Sequence, residues 1–364
     1  MPSTVRTAVS PDLAGDLSPL PLLPHYLTVA YCTLIVYASL HPFSGWHISG
    51  ISPFVFLTSG WPRYWTLFDL LSNVVAYVPL GFFLAQSMMS RIGRLGALLL
   101  TTMAGFALSF VIECAQSYLP SRVASNVDLV CNGLGSLAGA LLSVCVGKLY
   151  LAEVLARRHH ALPLVPRAEF GLVLIGLWWL AQLSPETFLF GTGDLRHLID
   201  FPPTLTYDAP SYFAVETGVI VCNTLTIGLF ISTLLKEKRP APRLLIWFFV
   251  IALLIRTLAM TILVGPQSAL DWLTPGASLG ILAGGATLTL LLLLPRSFRI
   301  VLAAISLMAG TVLINLAPFN PYSVAALAAW RQGHFLNFNG LTRLAASFWP
   351  FLALPYLILL VRRR

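Results

Sequence analysis

Apolar runs close to twenty residues long recur from residue 24 to the end of the chain, separated by short polar gaps. At 1.5 Å per residue, twenty helical residues reach about 30 Å, the thickness of a bilayer's hydrocarbon core. The pattern predicts ten membrane spans, at 24–41, 68–90, 95–119, 128–149, 170–188, 212–235, 243–264, 272–294, 299–317 and 345–361. Strand-like alternation is absent, which argues against a β-barrel. The expected fold is an all-α polytopic transmembrane helix bundle. Ser184, Pro185 and Glu186 interrupt the outer end of the fifth span.

Composition agrees with the pattern. The chain is 57% hydrophobic and 10% charged, with a mean hydropathy of +0.82. A soluble domain carries about 25% charged residues. Residues 1–23 form a Pro- and Ser-containing tail with no hydrophobic core of its own, so the first span serves as the insertion signal. A four-helix membrane domain follows over 24–150, then a basic linker over 151–169 and a six-span region over 170–364.

The net charge of +8 does not indicate a nucleic-acid partner, because the basic residues lie in the gaps between apolar runs. Their distribution sets an orientation instead. Sixteen of the 22 Lys and Arg residues fall in alternate gaps, from Arg6 through Arg91, Lys148, Lys236 and Arg296 to Arg364. The opposite gaps hold Arg63, Arg122, Arg196, Arg331 and Arg343, and Arg256 lies within a span. The positive-inside rule then puts both termini in the cytoplasm. The outer gaps are longer and carry aromatic and acidic residues, among them Trp46, Trp61, Tyr64, Trp65, Asp194, Asp200, Asp208 and Trp330.

Glu113 breaks the apolar pattern of the third span. An acid in an apolar run reads as a functional residue by default. It lies 19 residues beyond Arg94, so it belongs near the outer interface. Gln116 shares its face, Pro120 stops the helix, and Arg122 follows in a tight loop. Asp128 and Asn132, four apart, open the fourth span on one face; Asp69 and Asn73 do the same in the second. Asp69 and Asp128 also suit helix N-terminal capping. Glu113 stands at a C-terminal end, where the helix dipole disfavours an acid, so capping cannot account for it. An ion pair with Arg122 could. Gly135 and Gly139 form a small-xxx-small pattern that lets helices approach closely.

These residues resemble the VanZ-like family of bacterial membrane proteins, named for a teicoplanin-resistance protein. The matching pieces are Asp69, Asn73 and Pro79-Leu-Gly81; then Glu113 and Gln116; then Arg122, Asp128, Asn132 and Gly135, in order and at the family's spacing. The resemblance covers about residues 25–150 and marks Asp69, Asn73, Glu113, Gln116, Arg122, Asp128 and Asn132 as a ligand-binding set. It implies residence in the bacterial cytoplasmic (inner) membrane and a cell-wall precursor, lipid headgroup or glycopeptide as ligand. It brings no catalytic assignment.

A fainter echo links Ser39-Leu-His-Pro-Phe43 to Asn315-Leu-Ala-Pro-Phe319, and Asp69–Pro79 to Asn339–Pro350. Either a parallel repeat or chance recurrence accounts for it. Arg256, deep in the seventh span, needs a partner such as Glu216 or Asp271. The five cysteines have no metal-ligand spacing and read as small buried hydrophobes, with a Cys114–Cys131 bridge a remote alternative. No cofactor motif is present, neither P-loop, dinucleotide fingerprint nor G-x-S-x-G elbow. The function classes left are an envelope protein that binds a ligand at its outer rim, a transporter or flippase, and an enzyme acting on a lipid-linked substrate.

Overall fold

The computed structural model describes residues 22–41, 43–48, 50–61, 66–159, 164–165, 168–196, 207–236, 242–318 and 336–361. The tail up to residue 21, the outer-gap residues Arg63, Tyr64, Trp65, Asp200, Trp330 and Arg331, and Arg167, Lys238, Arg239 and Arg362 to Arg364 lie outside them. The described chain is helical: α1 (Leu23–Leu40), α2 (Val55–Thr58), α3 (Leu67–Gln116), α4 (Asn126–His159), α5 (Glu169–Ala181), α6 (Ala209–Leu234), α7 (Pro242–Leu263), α8 (Pro275–Leu291), α9 (Arg296–Leu316) and α10 (Leu336–Val361). Among the described residues no strand forms; one isolated bridge joins Leu164 to Leu235. Among the described residues seven helices are long and apolar enough to cross a membrane, and α5 and α8 are shorter apolar helices.

Helix α3 accounts for two of the expected spans. Fifty straight helical residues would extend about 75 Å, but Gly93 breaks the run with φ 74° and ψ 177°. A side chain at Gly81 would strike the Ser136 carbonyl, and one at Gly105 would strike the Ser136 hydroxyl. Residues 24 apart on one straight helix cannot meet the same serine, so α3 folds back at Gly93 into a hairpin. Only glycine adopts that positive φ without strain. The two arms clasp α4, where Gly135 lies against the Val74 carbonyl and Gly139 against the backbone of Val78 and Phe82. The small-residue pattern does what the sequence suggested.

Several ends differ from expectation. Helix α4 continues to His159, so part of the expected linker is helical. Helix α10 starts at Leu336, nine residues before its expected span. Helix α5 stops at Ala181, not 188. The chain from Gln182 to Arg196 is then non-helical, yet none of it is exposed. Non-helical backbone is tolerated at membrane depth only where protein or cavity water satisfies it. Here side chains of the surrounding helices do so. Asn315 accepts the Leu195 N–H at 2.9 Å and donates to the Gly193 carbonyl at 2.7 Å. Ser347 donates to the Asp194 carbonyl, and the Gly193 N–H reaches the Ala346 carbonyl at 2.8 Å. Arg256 donates to the carbonyls of Ser184, Pro185 and Thr187. Its partners are therefore these carbonyls and not the expected Glu216 or Asp271.

Two units result. In the first, α1 and the α3 hairpin share a small core of Ile35, Tyr77, Leu80 and Ile112. In the second, Trp178, Phe190, Phe230, Phe248 and Trp349 fill a larger aromatic core among α5, α6, α7 and α10. Helix α1 joins the units. Tyr26 at its start meets Phe170 at 5.7 Å, and the His41 ring at its end lies against Gly340. The ends of α1 and α9 and the starts of α3, α4, α6 and α10 therefore share one end of the bundle, the rim. All five cysteines are free, so no Cys114–Cys131 bridge forms.

Candidate functional site

The rim of the first unit is built from two helix starts, of α3 and α4, and two helix ends, of α1 and α3. Helix α3 starts with a local capping box. Thr66 accepts the Asp69 N–H at 3.1 Å, and the Asp69 carboxylate accepts the Thr66 N–H at 3.0 Å and its hydroxyl proton at 2.7 Å. Each side chain satisfies an amide the helix leaves open. Asp69 remains exposed.

Helix α4 starts with the same pattern, Ser125-Asn-Val-Asp128, but completes it differently. The Ser125 hydroxyl faces the N–H groups of Val127 and Asp128 at 3.2 and 3.4 Å. In a local box Asp128 would reach back to the Ser125 N–H. Instead the Glu113 carboxylate, from the end of α3, accepts that N–H at 2.8 Å. Glu113 is 2% exposed. It is thus an N-terminal cap for the next helix, in the field of α4's positive dipole end. Capping therefore does account for this acid, contrary to the sequence expectation, because the capped helix is the next one and not its own. Among the described residues no Lys, Arg or His pairs with Glu113, so the expected Glu113–Arg122 ion pair does not form.

The substitution of Glu113 into the box frees Asp128. Its carboxylate crosses to α3, where the Asn73 amide donates to it at 2.7 Å. Asp128 is half-buried and has no cationic partner among the described residues. Asp128 lies close enough to Glu113 and to Asp69 for the carboxylates to repel one another. One turn deeper, Asn132 donates to the Ser109 hydroxyl at 2.9 Å, while its own carbonyl oxygen is buried without a partner. The Tyr77 hydroxyl lies beside Ser109 without reaching hydrogen-bond geometry.

Gln116 and Arg122 do something else. Arg122 donates to the carbonyls of Ala38 and His41 at 3.1 and 3.0 Å, and Gln116 to that of Ser39 at 3.0 Å. These are the carbonyls that the end of α1 leaves open. A cation there also meets the negative dipole end. Burial draws the Arg122 guanidinium below the ordinary arginine pKa. The pair fastens α1 to the α3–α4 connection and leaves the carboxylates to Asn73, Ser125 and Thr66.

The structure therefore brings all seven sequence-marked residues to one end of the first unit and divides them. Asp69, Asn73, Glu113, Asp128 and Asn132 form an acidic and amide-bearing face; Gln116 and Arg122 form a clamp on α1. Ser125 and Thr66 escaped the sequence reading, although S/T-x-x-D before an apolar run is a capping signature. Ser109 and Tyr77 gave no signal, since one hydroxyl in an apolar helix is common. Among the described residues no group of three His, Cys, Asp or Glu side chains is placed to hold a metal ion.

A roof lies over this end. The segment after α1 is tied down where Asn126 donates to the Ser59 carbonyl at 2.8 Å and the His47 N–H to the Tyr118 carbonyl at 3.0 Å. Phe54 stacks on Phe110 with centroids 6.0 Å apart.

Comparison with known proteins gives one result. Residues 25–147 match the family described as VanZ/LLP1. No curated protein and no solved structure matches the chain. The matched stretch begins with α1 and ends within α4, and it contains every residue of the rim just described. The first helical unit of this multi-pass membrane protein is a VanZ-like domain.

Proposed function

We propose that the VanZ-like domain binds the polar headgroup of an envelope molecule at its rim, with Asp128 as the contact residue. The observation that carries this reading is the Asp128 carboxylate, released from its own capping box by Glu113 and left with the Asn73 amide as its partner. An unneutralised carboxylate at a membrane boundary is costly, and a bound cation or hydrogen-bond donor offsets that cost. The charge alternation of the loops puts this end outside the cell. A cell-wall precursor, a lipid headgroup and a glycopeptide all reach that face.

The engagement of Arg122 with α1 sharpens the ligand's chemistry. An anion would meet Asp69, Asp128 and Glu113 while the nearby guanidinium is already committed to carbonyls. An amine- or hydroxyl-bearing group suits the site better. Asn73, Asp69 and Asn132 are the assisting residues; Glu113, Gln116 and Arg122 hold them in place. The resemblance to a teicoplanin-resistance family supplies an assay. Expressed in a susceptible bacterial host, the wild type is expected to raise the inhibitory concentration of teicoplanin, and Asp128→Asn to abolish that rise at equal membrane abundance. A wild type that gives no protection removes the glycopeptide from the list.

A second reading, a transporter or flippase, draws on the other unit. Broken helices whose non-helical backbone lies inside the membrane mark many transporter binding sites. The buried segment Gln182–Arg196 has that character. Reconstituted into liposomes, a transporter would move labelled lipid between leaflets faster than protein-free liposomes do. Binding without movement favours the first reading.

A further inference from the structure

The chain from Phe43 to Trp61 contains no Lys, Arg, Asp or Glu. It leaves the end of a membrane-spanning helix, and its described large apolar side chains other than Phe56 are exposed. Trp46, Ile48, Ile51, Phe54, Leu57 and Trp61 are 45–86% exposed, Ile48 the most. Exposed apolar patches of this kind mark an interaction surface. Its occupant is indicated by continuity. The patch adjoins the outer turns of α3, where Leu67, Leu71 and Val75 are also exposed on a helix of membrane-spanning length. Tryptophans near both ends of an uncharged apolar segment are the usual mark of a bilayer interface. The roof is nonetheless fixed to the protein beneath. Phe56 is buried, Ser117 donates to the Pro53 carbonyl at 3.3 Å, and Asn126, two residues from Asp128, holds the Ser59 carbonyl. An exposed apolar surface and the Asp128 carboxylate therefore belong to one connected piece of structure.

We propose that the rim ligand is an amphiphile of the outer leaflet, an amine-bearing phospholipid whose ammonium group meets Asp128 while its acyl chain lies along the apolar segment Phe43–Trp61. This rests on the headgroup reading above and adds to it the tail and the route: the ligand arrives sideways through the leaflet and not from water. An ammonium group donates to the Asp128 carboxylate, beside the Asn73 amide, in a charge-assisted hydrogen bond. The apolar segment removes the chain from the interface without requiring a deep pocket.

The test uses the full-length protein in phosphatidylcholine nanodiscs. A small fraction of phosphatidylethanolamine carries a diazirine in its acyl chain; the control is phosphatidylcholine with the same diazirine. Photolysis and mass spectrometry give the yield of adducts on residues 43–61 relative to the exposed apolar face of α7. The expected result is a relative yield about fivefold higher for the ethanolamine lipid, equivalent to about 1 kcal/mol of preference, lost in Asp128→Asn. The Ile48→Ser/Ile51→Ser variant, at two exposed positions, is expected to lower the enrichment as well. Full enrichment there overturns the tail's part.

Equal labelling by both lipids, unchanged in Asp128→Asn, means that the segment merely touches bulk lipid and overturns the inference. A separate arm measures binding of water-soluble glycerophosphoethanolamine. If it binds wild type but not Asp128→Asn while the segment labels no better than α7, the headgroup reading stands and the amphiphile inference fails. If it does not bind and labelling shows no preference, both fail.

Discussion

The two units of this protein fasten the end of a helix in the same way and treat the acids beside that clamp oppositely. In the VanZ-like unit Arg122 holds the carbonyls of Ala38 and His41 at the end of α1. In the second unit Arg196 holds the Ala317 carbonyl at 2.7 Å, at the end of α9. Both capped helices are followed by a Pro-Phe pair, at Pro42-Phe43 and Pro318-Phe319. Arg196, however, also pairs with Asp194 at 2.6 Å, and Arg343 pairs with Glu186 at 3.1 Å. Among the described residues Arg122 has no acid, and Glu113 and Asp128 have no cation, although they share its rim. The second unit neutralises these acids within the protein; the first leaves Glu113 to a backbone N–H and Asp128 to the Asn73 amide. The clamp is common to both units, and the pairing of the charges beside it tells them apart.

The largest expected effect lies where that pairing is broken. Arg196→Leu leaves the Asp194 carboxylate buried beside the non-helical segment without its cation. Removing one partner of a buried pair costs about 3–5 kcal/mol. The apparent Tm of the purified protein should fall further than for Arg122→Leu or for any substitution at Glu113 or Asp128. A fall no larger than that of Arg122→Leu would mean that the two clamps do not differ in the way described. Arg122→Leu removes two charge-assisted hydrogen bonds but strands no acid, and its expected cost is about 1.5–3 kcal/mol.

Glu113 tests the other side of the comparison. If its work is capping, the amide should do it nearly as well as the acid. Glu113→Gln keeps an acceptor for the Ser125 N–H and should cost about 1 kcal/mol or less, whereas Glu113→Leu leaves that N–H open and should cost about 1–3 kcal/mol. Equal destabilisation by the two variants would contradict the capping role. Asp128→Asn should change Tm least of the rim variants, since an amide oxygen still accepts from Asn73, yet it should remove ligand binding altogether. A variant that unfolds easily and still binds would reverse the division of roles between Glu113 and Asp128.

The sequence carried the bundle and the rim for definite reasons. Twenty apolar residues have few alternatives to a spanning helix, so the spans were legible. Asp69, Asn73, Asp128 and Asn132 recur at helical spacing, so their shared faces were legible too. What escaped was every choice between local and distant partners. Ser125-x-x-Asp128 is locally a complete box, and nothing in it says that Glu113, twelve residues away, will take over the acid's place. Arg122 lies among acids in the sequence and binds carbonyls of α1, more than eighty residues away. The Arg256 expectation failed for the same reason: an acid was sought, and the carbonyls released by the early end of α5 were the partners. Nothing in the sequence marks the roles of Asn223 and Asn315. Asn315 proved to hold the segment Gln182–Arg196, and Asn223 accepts from Thr192 at 3.0 Å.

The junction of the units adds a smaller effect, set by pH. His41 follows the end of α1, with its ring against Gly340 and beside Tyr37, whose ring centroid is 5.3 Å away. Burial first, then the nearby Arg343 and Arg122, lowers its pKa from 6.5. Arg343 is itself bound to Glu186, so His41 faces two cations, one of them partly neutralised. A histidine with a lowered pKa in the folded state is neutral there while the unfolded chain still binds a proton. The unfolded state then holds more protons between the two pKa values, and stability rises with pH across that window. The protein should be fully stable above about 6.5 and lose stability as pH falls from there toward the lowered value, with no further loss from this group below it. Tm measured from about pH 8 to about pH 5 should show this slope, and His41→Gln should flatten it. If the slope survives the substitution, the acid sensitivity arises elsewhere, and the contact between α1 and α10 is indifferent to protonation.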